Sequence, residues 1–417
     1  MYDFFGLIIM LISVSLDTKK HGKIVTVFLP KNILYVFILV FYYLPVYSEI
    51  IYIQNLINKI DINYYSTRIS VLNFIVVILL HFLNQFFKIS SKKGKEKQSH
   101  LHYDTGCNLV VIGYLSFLIL ISWDLLKPLL SGLSSSSLSM NLRNGGSLRF
   151  FTIASCEIIP LILLLFNKKK HSVVLVLTLL LSSILITCLG ARSLVLSMFF
   201  SMILYYISTN KINKFIVFTI LLLGIVTFFS TTQNRSKFSI VWQFLSRNLD
   251  QYNTTMIVME KIDRETINYQ YGTTIIDAFY FMTPSVIMTD KPKSYRPSRL
   301  VFPEIIYNGI AENTKHTINF GILARGYLEL GFFGVILSII IYMKLFNHIY
   351  GKIIQNNFNS RNKKFFYIMA YSHVVQFLLL GVTSHVYCII LLNYCYYLVL
   401  INNVKLISPV RENLVNA

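Results

Sequence analysis

Acidic residues are scarce in this chain: 18 Asp and Glu stand against 38 Lys and Arg, and charged residues make up only 13% of 417 while hydrophobic ones reach 55%. A soluble protein of that size carries about twice the charged fraction. The shortage excludes an ordinary soluble domain and points to an integral membrane protein. It also changes the meaning of the +20 net charge. In a soluble chain that excess would signal nucleic acid; in a membrane chain the placement of basic residues matters more than their sum. No nucleic-acid partner is expected.

Cysteine is sparse as well. Cys107, Cys156, Cys188, Cys388 and Cys395 lie in or beside apolar runs and form no CxxC pair or disulfide framework. They read as small apolar packing residues. There is no GxxxxGK[ST] loop to cradle a nucleotide phosphate. No DxD pair, zinc spacing, heptad or internal repeat occurs either. Neither a metal nor a cofactor is therefore expected. HLHYD (100–104) has metal-ligand side chains, but it sits in a lysine-rich loop and reads as solvated. No cleavable signal is recognisable: the first apolar run passes into Asp17 and basic residues, so it reads as a retained helix.

What the chain has in quantity is long apolar sequence. About 20 apolar residues span a bilayer. Eleven runs approach that length, near 2–17, 33–53, 69–87, 108–128, 149–167, 172–190, 193–209, 215–231, 320–344, 365–383 and 385–403. The predicted fold class is all-α: a polytopic integral membrane protein of about 11 transmembrane helices (10–12), one transmembrane domain over 1–417.

Every second connection is basic: Lys19/Lys20/Lys23, KKGKEK (92–97), KKK (168–170), Lys211/Lys214, Lys352 with Arg361/Lys363/Lys364, and Lys405/Arg411. That alternation is the positive-inside pattern. It predicts an outer N-terminus, an inner C-terminus and one large extracytoplasmic loop over 231–319. Long loops translocate regardless of charge, so the basic residues of this one do not break the pattern. Within it, Asp277 and Pro284 interrupt an apolar stretch too short to span, which predicts an interfacial or re-entrant segment near 273–290. Irregular backbone at that depth is tolerated only beside protein or a wet cavity.

An outward-facing site has no ATP, so its substrate must bring its own activation. The chemistry-bearing residues on that side are mainly arginines: Arg143, Arg149, Arg192, Arg235, Arg247, Arg264, Arg296, Arg299 and Arg325. A guanidinium is always charged and its planar fork matches phosphate oxygens. Any one of them also suits a lipid head group. Arg325 stands apart, because it lies inside an apolar run, where charge is costly and usually faces a functional interior. Glu329 follows at i+4 on the same helix face, as an ion-pair partner or as a group orienting a bound diphosphate. Glu157, in ASCEIIP, is a second intramembrane carboxylate, for which pairing with Arg149 or Arg192 competes with catalysis. His316 is suited to general-base work at neutral pH.

YG (271–272), Pro284, KP (291–292), His316 and a helix reading RGYLELGFFG (325–334), with GARS (190–193), together resemble the O-antigen polymerase family. The likeness implies a helical, glycosyltransferase C-like bundle with a large outer loop over a cavity. It implies a bacterial inner-membrane, multi-pass enzyme facing the periplasm. The substrates would be undecaprenyl-diphosphate-linked oligosaccharides, with a growing glycan moved from its lipid diphosphate onto a new unit. ELGFFG (329–334) fits the related O-antigen ligases equally. A flippase for the same lipid-linked glycans is the rival in another class, although the polar groups gather on one face rather than at the midplane of two related halves. Partners implied are the lipid-linked oligosaccharide, membrane lipids, a chain-length regulator and a flippase. Roles follow from the chemistry: His316 as base, with Asp277 or Glu329 second; Arg192, Arg235 and Arg325 on the diphosphate, with Arg296 and Arg299 closing from the loop; Tyr271, Tyr295 and Tyr307 for stacking on sugars.

Overall fold

Long apolar stretches in lipid must satisfy every backbone N–H and C=O internally, and helix is the local way to do so. The computed structural model describes residues 2–44, 61–86, positions scattered through 112–123, then 146–166, 173–188, 192–209, 240–272, 321–355, 358, 361–380 and part of 393–398. For some of these, including 146–151, Arg192 and 240–250, only the backbone is described. Among the described residues there is helix and no strand.

In chain order the helices are α1 (Tyr2–His21), α2 (Lys23–Val27), α3 (Pro30–Ile38, extended by a π turn over Leu39–Tyr43) and α4 (Ile62–Phe86). Then come α5 (Gly146–Phe166), α6 (Val173–Cys188), α7 (Arg192–Thr209) and α8 (Ile240–Asp263). The last are α9 (Ile322–Gln355), α10 (Arg361–Ser372) and α11 (Val374–Leu380). Two described segments are long and apolar enough to cross a membrane, 24 residues over Asn63–Phe86 and 34 over Ile322–Gln355. Shorter apolar helices cover Pro30–Tyr43, Thr152–Leu165, Val174–Ile186 and Ser197–Thr209. All fall on predicted runs; the run at 215–231 lies outside the described residues, and the one at 365–383 is divided at His373.

The described chain forms two compact units. In the first, α1 and α4 run parallel: Ser70 donates to Asp3 at 2.8 Å near their starts, and Ser13 meets His81 Nδ1 at 3.2 Å near their ends. The π turn returns to the start of α1, where Tyr43 sits over Gly6. At the opposite end Lys31 is buried between the Asp17 carboxylate at 2.7 Å and the Ser13 hydroxyl at 2.5 Å. Thus α3 is antiparallel to α1. The long arm of α9 reaches down the same way as α1, since Tyr342 donates to the carbonyl of Pro30 and Tyr350 to that of Val25. These relative directions are the ones the alternating basic loops require of runs 2–17, 33–53, 69–87 and 320–344.

Helix α8 lies inside the stretch 231–319, and its polar residues Gln251, Asn253, Thr254, Thr255 and Glu260 are buried. It crosses the ends of α3 and α4: Tyr42 and Thr255 hydroxyls are 3.1 Å apart, and Tyr252 donates to Ser66 at 2.7 Å. Burial pushes the Tyr252 phenol up to about 12, so it stays a donor. The second unit packs α5 against α6 and α7, and α7 against α10.

Candidate active site

The run predicted as one helix over 320–344 is two arms. Leu330 (φ −145°) and Gly331 (φ 62°) leave helical geometry and divide α9 into a short arm and a long one. In an unbroken helix, residues eight apart are about 12 Å distant. Here a Cβ on Gly334 would overlap the carbonyl oxygen of Gly326, and one on Gly326 would come within 2.8 Å of Val335 Cα. The arms therefore fold back sharply, backbone on backbone. Only a residue without Cβ fits either contact, and a positive φ at the turn favours glycine again.

This elbow brings together motif pieces that are distant in sequence. The segment after α8 runs along the end of the short arm: Gln270 N–H donates to the carbonyl of Leu328 and Tyr271 N–H to that of Glu329, both at 3.0 Å. Gly272 N–H donates to the Glu329 carboxylate Oε2 at 2.5 Å. The YG pair and the ELG turn are thus one structural element. Tyr269 packs over the turn, its hydroxyl 3.0 Å from where a Gly331 Cβ would stand.

Beside it lies a cluster that the sequence reading passed over. Arg68, in the first turns of α4, is hydrogen-bonded and ion-paired to Asp263 at the end of α8, and donates to the Tyr327 hydroxyl at 2.6 Å. The rings of Tyr64, Tyr65 and Tyr327 lie 5.5, 5.7 and 5.9 Å from the guanidinium carbon. The pair is partly open, with side chains 31% and 29% exposed. A signal was available: Arg68 stands at the entry to an apolar run on the same predicted side as Arg325.

Of the predicted site residues, Arg325 and Glu329 lie on the short arm, Arg325 half-buried and Glu329 buried. Arg192 opens α7, and its side chain lies outside the described residues. His316, Asp277, Arg235, Arg296 and Arg299 lie outside them too, as do the segment 273–290, Tyr295 and Tyr307. Tyr271 is 71% exposed. Arg264 is held by Glu260 at 2.7 Å, one turn earlier in α8.

In the second unit Glu157 has partners from distant parts of the chain. Its carboxylate accepts from Asn393 at 3.0 Å and stands 3.3 Å from His373 Nε2. His373 Nδ1 is 3.4 Å from Ser197 Oγ, which donates to Ser372 at 3.1 Å. Glu157, His373 and Asn393 are fully buried.

Helices long and apolar enough to cross a bilayer fit a membrane protein. The chain matches, over residues 4–397, the family model described as "Putative O-antigen polymerase". It belongs to that family, of membrane polymerases of lipid-linked repeat units in O-antigen and polysaccharide biosynthesis. No curated protein and no solved structure matched it.

Proposed function

We propose that the chain polymerises undecaprenyl-diphosphate-linked oligosaccharide repeat units into O-antigen or a similar surface polysaccharide, as a glycosyltransferase on the extracytoplasmic side of a bacterial inner membrane. The observation that carries this reading is the elbow. It places Arg325 and Glu329 on one face of a short arm, with the Glu329 carboxylate fixed by a backbone N–H from the loop. A preorganised cation beside a fixed carboxylate in a water-poor setting suits charge that develops on a departing phosphate.

The step is a substitution at sugar C1. A hydroxyl oxygen of the incoming unit attacks C1 of the growing glycan and the C1–O bond to the lipid diphosphate breaks. Its electron pair leaves with the diphosphate, and the hydroxyl proton passes to a base. Arg325 takes the charge on the leaving diphosphate, joined by Arg192 and Arg235, with Arg296 and Arg299 from the loop. His316 is the base, and Asp277 the second choice. Glu329, one oxygen of which accepts from Gly272 N–H, orients the diphosphate and shares with Asp277 the second place as base. The partners that go with this reading are a flippase delivering the units and a chain-length regulator.

The test is the glycan ladder of cells lacking the gene, complemented with the wild-type chain or with Arg325→Ala. Single repeat units at the surface, restored to polymer by wild type alone, support the proposal. Units trapped inside indicate a flippase, long unattached polymer indicates a ligase, and either result overturns it.

A further inference from the structure

One guanidinium ties three chain segments at the mouth of the first unit. Arg68 belongs to α4, Asp263 to the end of α8 and Tyr327 to the short arm of α9. The surroundings continue past Arg68: Tyr65 lies near the Asp263 carboxylate, and Tyr327 near Tyr269, the ring that covers Gly331. Nothing in the proposed chemistry uses this arrangement.

The register of the short arm shows what it does. Successive helical residues turn by about 100°, so residues four apart share a face and residues two apart point to opposite sides. Arg325 and Glu329 are therefore about 40° apart, and Tyr327 stands between them in sequence but on the far side of the arm. Holding Tyr327 fixes the arm's rotation about its axis. Along the body of the arm Ile322, Leu323, Ala324 and Leu328 are apolar side chains that grip without direction, and the directional bonds from 270–272 reach its last two residues. Hydrogen bonds to a planar guanidinium are directional.

We propose that Arg68 is a positioning residue: through Tyr327, braced by Asp263, it sets the rotation of the 322–329 arm and so the presentation of Arg325 and Glu329 to the substrate. This rests on the polymerase reading for its substrate, not for its geometry. Arg68 itself need not touch the diphosphate, since Asp263 already meets its charge.

Two measurements test it. The full-length protein, reconstituted with lipid-linked repeat units extracted from cells lacking the gene, is assayed for elongation. Misplacing a reacting group by an ångström costs up to about a hundredfold, so Arg68→Gln and Tyr327→Phe should each lower kcat by about tenfold or more. KM should stay within about twofold. The double variant should be no worse than the worse single one, because both remove the same contact. Arg68→Lys should recover little, as an ammonium lacks the fork. A rise in KM from Arg68→Gln with Tyr327→Phe unaffected would make Arg68 a substrate ligand and overturn the proposal. Activity lost only in proportion to folded protein would make the cluster a plain latch, and overturn it equally.

The second measurement is independent of turnover. With the five native cysteines replaced by alanine, Arg325→Cys is labelled by a charged thiosulfonate in native membranes, with and without Arg68→Gln. Thiol reactivity follows local exposure and charge, so the rate should change by at least about fivefold. Equal rates overturn the positioning role whatever the assay shows. If the labelling result holds but the wild-type chain elongates nothing, the polymerase reading fails and the positioning role stands.

Discussion

Two polar clusters sit in the two units, built from similar side chains and opposite in character. At the Arg68 cluster the ionised groups are about one-third exposed, ringed by tyrosines and joined to a backbone turn that only glycines allow. At the Glu157 cluster the exposure of the carboxylate and imidazole side chains is 0% and 1%, and each faces a side-chain partner. Intramembrane ionisable groups are by default candidates for function. Accessibility divides these two. An open cluster beside a site can set how neighbouring groups meet a substrate; a sealed one holds helices together. The comparison predicts that damage to the first and to the arm it holds lowers activity without unfolding, and damage to the second lowers both at once.

The largest effect separates them directly. Arg325→Ala should abolish polymer while the protein still inserts and keeps a wild-type thermal unfolding midpoint in detergent. Normal polymer from that variant would remove Arg325 from the site. Arg325→Lys divides the role further: retained activity would assign it simple charge rather than a bidentate phosphate contact. Glu157→Ala should instead lower stability by about 3–5 kcal/mol, the cost of leaving a buried partner uncompensated. Its polymer should fall only as far as the amount of folded protein falls. An unchanged midpoint with lost polymer would place Glu157 in the chemistry and erase the contrast.

Gly331→Ala tests the elbow on a smaller scale. A non-glycine residue at φ 62° costs on the order of 1–3 kcal/mol, and the added Cβ must also displace the Tyr269 ring. The expected outcome is a modest fall in the unfolding midpoint with a larger fall in elongation rate, because the turn sets where Glu329 meets Gly272. A rate unchanged within error would show that the turn is scaffold alone.

The sequence disclosed the helices well and their bends poorly. Hydropathy marks apolar stretches, and α1, α4, α5, α6, α7 and α9 lie where the runs predict them. It is blind to the elbow, because the stretch around Gly331 is as apolar as its flanks; the spacing of Gly326, Gly331 and Gly334 carried the signal instead. Helix α8 was invisible to hydropathy for the opposite reason: it buries polar residues such as Gln251 and Thr255, so no apolar stripe announces it. Arg325 and Glu329 were legible from their placement and spacing. The junction of YG with ELG was not, since contacts across 57 residues leave no local trace. The same holds for the contacts of Glu157 with His373 and Asn393, which lie more than 200 residues away.

The smallest effect is the most informative about the sealed cluster. Ser372 donates to the carbonyl of Met369, and Ser197 donates to Ser372, so both hydroxyl protons are spent. His373 Nδ1 must then donate to Ser197, which leaves Nε2 and the Glu157 carboxylate facing each other at 3.3 Å. Glutamine supplies an N–H at that place without a charge. Glu157→Gln should therefore cost no more than about 1 kcal/mol, the scale of one exchanged hydrogen bond, and leave elongation intact. A loss as large as that of Glu157→Ala would mean that the carboxylate itself is required, and the contrast between the two clusters would fail.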